Sequence, residues 1–293
     1  MGMVQGHMLR IGKKKIGRIK LSELPVAIIM IAYLFLISLP VIYTVLTAFK
    51  PLDEMFVYPP RWIPKNFTLT NFSLMSDLLN ETVMPVSRYI FNSIIYALIM
   101  VAAVVLTSFM AAFSMTKTRP KGSERMVGIL IFALSLSGPA AGVANFIIIE
   151  KLGLLNTYWA LILPGIGSAT YVFLMRQFLV SMPESYIEAA RLDGASEWKI
   201  MWSIGLPYAR PAVATVFVYQ FMASWGDSSG PFLYLSEPDL QTLPFAVSTI
   251  GGSLTTAGAT AALSLLMLIP STVVFVFMQS KIMMTMAFAG IKE

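Results

Sequence analysis

The chain has 293 residues, of which 57% are hydrophobic and only 12% charged. Soluble domains carry about 25% charged residues, so this balance excludes an ordinary soluble globular protein and indicates a membrane protein. The absence of cysteine excludes disulfides and thiolate metal sites, and the net charge of +6 collects in short segments beside apolar runs, a topological pattern rather than a nucleic-acid surface.

Residues 1–23 form a basic tail carrying Arg10, Lys13, Lys14, Lys15, Arg18 and Lys20. His7, the single histidine, reads there as a solvated residue rather than a ligand. Apolar runs follow at 25–48, 89–116, 126–149 and 152–175, each longer than the roughly 20 residues a helix needs to cross the hydrocarbon core. A shorter run at 211–226 and one in the second half of 240–280 complete a prediction of six transmembrane helices in an all-α integral membrane protein. A β-barrel is disfavoured, because its strands would be about 10 residues long and alternating. The first run is too long for a cleavable signal and stays as the first span. Lys117, Arg119, Lys121 and Arg125 separate the second and third runs. Short loops rich in Lys and Arg remain in the cytoplasm, so both termini and the loop at 182–210 are expected inside. The expected organisation is a tail (1–23), a transmembrane domain (24–283) and a second cytoplasmic tail (284–293).

Between the first two runs lies an outer segment with Pro51, Pro59, Pro60, Pro64 and Pro85, a density that predicts extended, irregular backbone. Arg61 and Trp62 fit an interfacial anchor and a partner contact equally well. Gly138-Pro139 should kink the third span, and Pro164-Gly165 sits in the middle of the fourth. The second outer segment, 227–256, is rich in glycine and proline. There is no internal repeat.

The loop at 182–210 reads as two short helices around a tight turn. Ser181 is placed to cap a helix beginning at Pro183, a favoured first-turn residue. Glu184 and Glu188 are four residues apart and share a face. Ala189 and Ala190 keep the adjoining face thin, suited to close approach by another protein. Asp193-Gly194 ends the helix, with Gly194 free to take the left-handed cap conformation. Ser196 caps a second helix holding Trp198 and Ile200, and Leu206-Pro207 turns the chain toward the fifth span. On these residues alone, an amphipathic loop lying on the membrane surface fits as well as a docking surface. A helix-turn-helix nucleic-acid reader does not fit, because the charges are mixed and both ends are tethered to bilayer.

Glu188-Ala189-Ala190, Gly194 after three further residues, Ile204 and Leu206-Pro207 resemble the "EAA" signature of ABC-importer membrane subunits. The extension Asp193-Gly194-Ala195-Ser196 is similar to the carbohydrate-uptake, MalG-like branch. So are Asn92-Ser93, the turn Leu152-Gly153-Leu154-Leu155-Asn156-Thr157, Trp225 and Thr242-Leu243-Pro244. The chain departs from the pattern at Trp225-Gly226-Asp227 and Gln279-Ser280-Lys281. The resemblance implies a type I importer permease of the bacterial inner membrane. By the same resemblance, it would import a sugar or oligosaccharide by alternating access, beside a second permease, two ATPase subunits and a periplasmic or extracellular binding protein. Glu184, Glu188, Ala189, Ala190, Asp193, Gly194, Leu206 and Pro207 would then couple to the ATPase. The chain lacks a G-x-x-x-x-G-K-[ST] loop, so ATP and Mg would be held by the partner and no cofactor by this chain. The family's outer loop corresponds to 228–252, a flexible probe of the binding protein, and 289–293 resembles a tail that reaches the ATPases. Asn92, Asn145, Tyr219, Gln220, Ser224, Trp225 and Asp227 are the candidates for the substrate path, each equally able to serve as helix-packing glue. A permease for glycerol phosphate, polyamine or peptide is the nearest alternative. An ion-coupled secondary transporter is disfavoured because the spans are almost free of charge.

Overall fold

The computed structural model describes residues 24–59, 61–81, 84–135, 139–250 and 254–290. The basic tail with His7, the Gly138 side of the expected third-span kink, and residues 291–293 lie outside them. The described residues are helical, with no strand among them.

The chain divides into two units at Thr44. The first contains most of α1 (Leu24–Ala48). Pro40 interrupts its backbone ladder, and Thr44 Oγ1 donates to the Pro40 carbonyl at 2.9 Å. In the second unit come α2 (Leu52–Met55) and α3 (Thr70–Glu81). The outer segment is therefore not irregular throughout, as its prolines suggested. From Lys65 to Met84 there is no proline, and Phe72, Met75 and Leu79 recur at helical spacing to form a packed stripe. Asn71 Nδ2 donates to the carbonyls of Ala48 (3.0 Å) and Lys50 (2.8 Å), accepting the chain as it leaves α1. Glu54 is buried beneath this segment and accepts from Lys65 N and Asn66 N.

The long helix α4 (Val86–Phe113) is the axis of the unit. It continues through a π-helical turn, Ser114–Thr118. Next come α5 (Ser123–Ser135), α6 (Pro139–Lys151), α7 (Trp159–Ile166) and α8 (Ala169–Val180). The loop segment holds α9 (Glu184–Leu192), α10 (Glu197–Ile200), a π-helical turn Met201–Gly205, and α11 (Leu206–Tyr208). The chain ends in α12 (Arg210–Trp225), α13 (Ser229–Tyr234), α14 (Leu243–Ile250) and α15 (Ala257–Gly290). α12 packs against both α4 and α15, and α8 packs against α4. Small buried residues, including Ala97, Ala112, Ala212, Ala214, Ala259 and Ala262, let these backbones approach closely.

Among the described residues, α1, α4 with its π turn, and α15 are each long and apolar enough to cross a membrane, and the pair α7–α8, bent by 44°, is long and apolar enough to make a fourth if the two form one span. The other two expected spans fall on shorter helices: α5 and α6, of 13 residues each, and α12, of 16. Two boundaries differ from expectation. The fourth span begins at Trp159 rather than Leu152, because 152–158 form an anchored turn. Its break lies at Gly167-Ser168, just past Pro164-Gly165. The last helix runs on to Gly290, so most of the expected 284–293 tail is helix, as fits a stretch with neither glycine nor proline before Gly290.

The π turn before α11 brings Gly205 against the ring of Phe113 at the end of α4. A methyl group at Gly205 would sit 2.6 Å from a Phe113 ring carbon. Gly205→Leu should overpack this junction and cost about 1–3 kcal/mol. Thermal unfolding of the detergent-solubilised protein measures it, and an unchanged Tm contradicts the packing.

Candidate functional site: the α9–α10 docking loop

The loop has two faces. Ile187 and Ala190 of α9 and Ile200 of α10 are buried in the core cluster of this chain. Ser185, Glu188, Ala189, Leu192 and Asp193 face outward. Leu192 is 89% exposed and Trp198 62%. A leucine so bare at the tip of a helix, beside a carboxylate that forms no ion pair among the described residues, is what a docking surface requires. Ala190 belongs to the opposite face, so the thin outward surface expected at Ala189-Ala190 is supplied by Ala189 alone. Glu184 and Glu188 also differ in role, since Glu184 is engaged within the chain.

α9 ends in a complete Schellman motif. Ala195 N donates to the Ala190 carbonyl and Gly194 N to that of Arg191, both at 3.0 Å. Gly194 has φ +74°, with open space around it. The glycine is required by the backbone alone, since a side-chain-bearing residue in this conformation costs about 1–2 kcal/mol. Ser196 caps α10 as expected, its Oγ accepting from Lys199 N at 3.3 Å. Ser181 does not cap α9. Its hydroxyl is directed back to the Phe178 carbonyl at 2.6 Å and lies 3.3 Å from Tyr208 Oη, and Pro183 occupies the cap position. Leu206-Pro207 continues the helical path, and the turn toward α12 falls at Ala209.

What holds this loop in place was missed by the sequence reading. Lys117, on the π turn closing α4, has a side chain only 2% exposed. Its Nζ donates to the Met182 carbonyl at 2.7 Å and to Glu184 Oε1 at 3.3 Å. Arg119 reaches the same oxygen at 3.1 Å. Arg191 joins the α9 end to α10 through Glu197 Oε1 at 2.7 Å, and Thr118 Oγ1 donates to Glu197 Oε2 at 3.3 Å. In the sequence alone, Lys117 and Arg119 read only as markers of sidedness. The available signal was the opposite charge of Glu184 and Glu197 on a loop at the same end of the bundle. Aromatic contacts reinforce the junction: Phe109 lies 5.9 Å from Trp202, and Trp202 5.6 Å from Trp198.

The substrate-path candidates are dispersed. At the end of α4 away from α9, Asn92 Nδ2 donates to the carbonyls of Asp239 and Gln241, each at 2.9 Å. Neighbouring Ser93 Oγ accepts from Leu243 N at 2.7 Å. These two residues pin the 238–243 loop to α4. Asn156, in the turn before α7, does the same for the preceding stretch: its Oδ1 accepts from Ser236 N and Glu237 N. Gln220 Nε2 donates to Ser224 Oγ at 2.7 Å, both buried within α12. Trp225 stacks on Phe221 and donates to the Met267 carbonyl at 2.8 Å, tying α12 to α15. Asp227 accepts from Gly230 N and, at 3.4 Å, from Tyr96 Oη. Asn145 is half-buried, and Tyr219 is 57% exposed. Five of the seven are therefore engaged in holding helices and loops, and Tyr219 presents the most surface. The described part of the 227–256 segment up to residue 250 is largely helical, with α13, a 3-10 turn at Pro238–Leu240 and α14.

The fold is thus helical, with an ordered, outward-facing loop at one end of α4 and a loop pinned by Asn92 and Ser93 at the other. Residues 83–280 match the family described as binding-protein-dependent transport system inner membrane component, and the chain belongs to that family. It is an inner-membrane permease component of an ABC importer. The lactose transport system permease protein LacG of Rhizobium radiobacter is 31% identical over 189 residues, 64% of this chain and 69% of that protein. The arabinooligosaccharides transport system permease protein AraQ of Halalkalibacterium halodurans is 27% identical over 88% of this chain and 92% of its own length. The sn-glycerol-3-phosphate permease UgpE of Agrobacterium fabrum is 28% identical over 74% of this chain and 77% of its own. In fold, the chain is similar to one in the crystal structure of a bacterial ABC transporter involved in import of the acidic polysaccharide alginate. The TM-score is 0.75 at 21% identity, covering 90% of this chain and 99% of that one.

The hydrogen bond from Arg191 is the main cause holding the Glu197 carboxyl below its ordinary value of 4.5. A carboxylate whose folded value is lowered contributes stability above the unfolded value and loses it as pH falls through the folded one. Hydrogen-exchange protection of α9 and α10 should therefore stay constant from neutral pH down to about 5 and fall only below the usual glutamate range. Loss of protection already at pH 6 contradicts the pairing.

Proposed function

We propose that this chain is the permease subunit of an ATP-driven, binding-protein-dependent importer that carries a sugar or oligosaccharide into the cytoplasm. The observation that carries the proposal is the outward face of α9, where Glu188, Ala189 and Leu192 are presented to a partner while the inward face is bonded to this chain's own α4. In this reading the loop at 182–210 docks on a separate ATPase subunit, which holds ATP and Mg, and this chain itself hydrolyses nothing. Glu188 is the contact carboxylate. Glu184, Asp193, Gly194, Leu206 and Pro207 position the docking face rather than touch the partner's charge.

The remaining partners in the proposal are a second, related permease, a second ATPase subunit, a solute-binding protein on the outer side and the surrounding lipid. The 227–256 segment, pinned by Asn92, Ser93 and Asn156, is the element presented to the binding protein. Its helices make it a shaped surface rather than a flexible probe. Both termini are cytoplasmic, and α15 carries the chain toward the ATPases. Sugar is favoured because the relatives include permeases named for lactose and arabinooligosaccharides. Glycerol phosphate is the second reading, favoured by the similarity to UgpE. Tyr219, the exposed aromatic of α12, is the residue best placed to stack on a sugar ring.

The test is uptake by the complex reconstituted in vesicles with its ATPases, its second permease and the binding protein loaded with one ligand at a time. A sugar or oligosaccharide should stimulate ATP hydrolysis and accumulate. Glu188→Lys should reduce uptake by at least about tenfold, the scale of one lost charge-assisted contact. Stimulation by glycerol phosphate alone overturns the sugar assignment, and unchanged uptake by Glu188→Lys overturns the docking assignment.

A further inference from the structure

The segment between α1 and α3 is folded with charged groups inward and apolar side chains outward. Its stem closes where Thr68 N donates to the Phe49 carbonyl at 3.0 Å. Inside it, the ammonium of buried Lys50 donates to the Arg61 carbonyl. The carboxylate of buried Glu54 accepts from Lys65 N at 2.8 Å and from Asn66 N at 3.1 Å. These bonds fix the backbone at 61 and at 65–66, so the loop is braced from within. Around the braces, Tyr58, Ile63 and Phe67 are 92%, 68% and 67% exposed, and Phe56, Trp62 and Leu69 are exposed as well.

In water this distribution is the wrong way round. Withdrawing an ammonium and a carboxylate from solvent is costly, and each Å² of apolar surface left in water forgoes about 25 cal/mol. The loop suits apolar surroundings, and the complex proposed above offers three: the binding protein, the second permease and lipid. A binding protein that docks and leaves would return the loop to water in every cycle, and surfaces used for such contacts are no more apolar than ordinary protein surface. A permanent permease interface excludes charge from its centre. Here exposed Arg61 and Lys65 are interleaved with the apolar residues. Tyrosine, tryptophan and basic residues among aliphatic ones make up the bilayer interface, where rings sit at headgroup level and long cationic side chains reach the polar layer. Position in the chain points the same way. α1 has 25 residues, about 37 Å of helix at 1.5 Å per residue, which carries its end through a hydrocarbon core about 30 Å thick. The loop begins at Phe49, the next residue, and Thr68 returns it there.

We propose that residues 56–69 are a membrane anchor lying in the lipid interface at the outer end of α1, with Tyr58, Ile63 and Phe67 inserted into the lipid and Arg61 and Lys65 at the level of the phosphates. The choice of leaflet, though not the insertion itself, rests on the sidedness proposed above. The anchor sets the depth of α3, which begins at Thr70, directly after Leu69.

The chain has no cysteine, so single spin labels can be attached at Tyr58→Cys, Ile63→Cys and Phe67→Cys, with Asp77→Cys on the exposed side of α3 as the water reference. Each labelled complex, its other subunits free of reactive cysteine, is reconstituted in vesicles of phosphatidylcholine and phosphatidylglycerol. Power-saturation EPR then compares collisions with oxygen, which concentrates in lipid, and with an aqueous nickel chelate. Basal ATP hydrolysis equal to that of the wild type shows that each variant folds and assembles. The oxygen-to-nickel collision ratio at 58, 63 and 67 should exceed that at 77 and should not change when loaded binding protein is added. A ratio equal to that at 77 places the loop in water and overturns the proposal. Protection from both reagents marks a protein covering, the second permease, and overturns it too. Nickel collisions that disappear only on adding binding protein assign the loop to that partner, with the same consequence. None of these readouts depends on which solute is carried, so the anchor fails or stands separately from the sugar assignment.

Discussion

The buried ammonium of Lys117 is the constraint on which the arrangement at the docking end depends. A charge withdrawn from water costs several kcal/mol unless it is paired and hydrogen-bonded. Here the partners that satisfy it are the Met182 carbonyl and Glu184, both at the entry to α9. The position of α9 therefore follows from where α4 ends. The Arg191–Glu197 pair is exposed on both sides and contributes at most about 1 kcal/mol. Its effect is to keep α10 folded against α9 and to join both to Thr118.

The other end of α4 is bonded in the same manner. Asn92 and Ser93 hold the 238–243 loop, through the carbonyls of Asp239 and Gln241 and the buried backbone N–H of Leu243. One continuous helix thus carries the docking loop at one end and the loop of the opposite end at the other. α12 runs alongside it and is tied to α15 by Trp225. α9 and the 238–243 loop are thus each bonded to α4 and its π turn, one at either end.

Much of this was legible in the sequence for definite reasons. Apolar runs announce spans because the bilayer leaves no other way to satisfy a backbone. Gly194 and Ser196 were readable because a left-handed cap and an N-cap are local demands. What failed to read was long-range. Nothing near Lys117 in the sequence says that its partner is Glu184, 67 residues away. Asn92 looked like a polar residue available to substrate, and only the fold shows its amide spent on the loop at 239–241. The inward turn of Ala190 depends on the rotation of α9 about its axis, which Ile187 decides by burial. The helix at Thr70–Glu81 was concealed by prolines on either side of it. The helical run to Gly290 was concealed by the convention that a chain frays after its last span.

The central claim is that the outward face of α9 docks on a separate ATPase subunit. This chain contains no cysteine, so a single one can be introduced without background. The most direct measurement is cross-linking of Leu192→Cys, at the bare tip of α9, to the ATPase subunit in the intact complex, with Ile187→Cys on the buried face as the control. The account predicts a specific cross-link from position 192 that changes in yield when ATP is bound, and none from position 187. Absence of any cross-link from 192 in a complex that still hydrolyses ATP, or equal cross-linking from both positions, contradicts it.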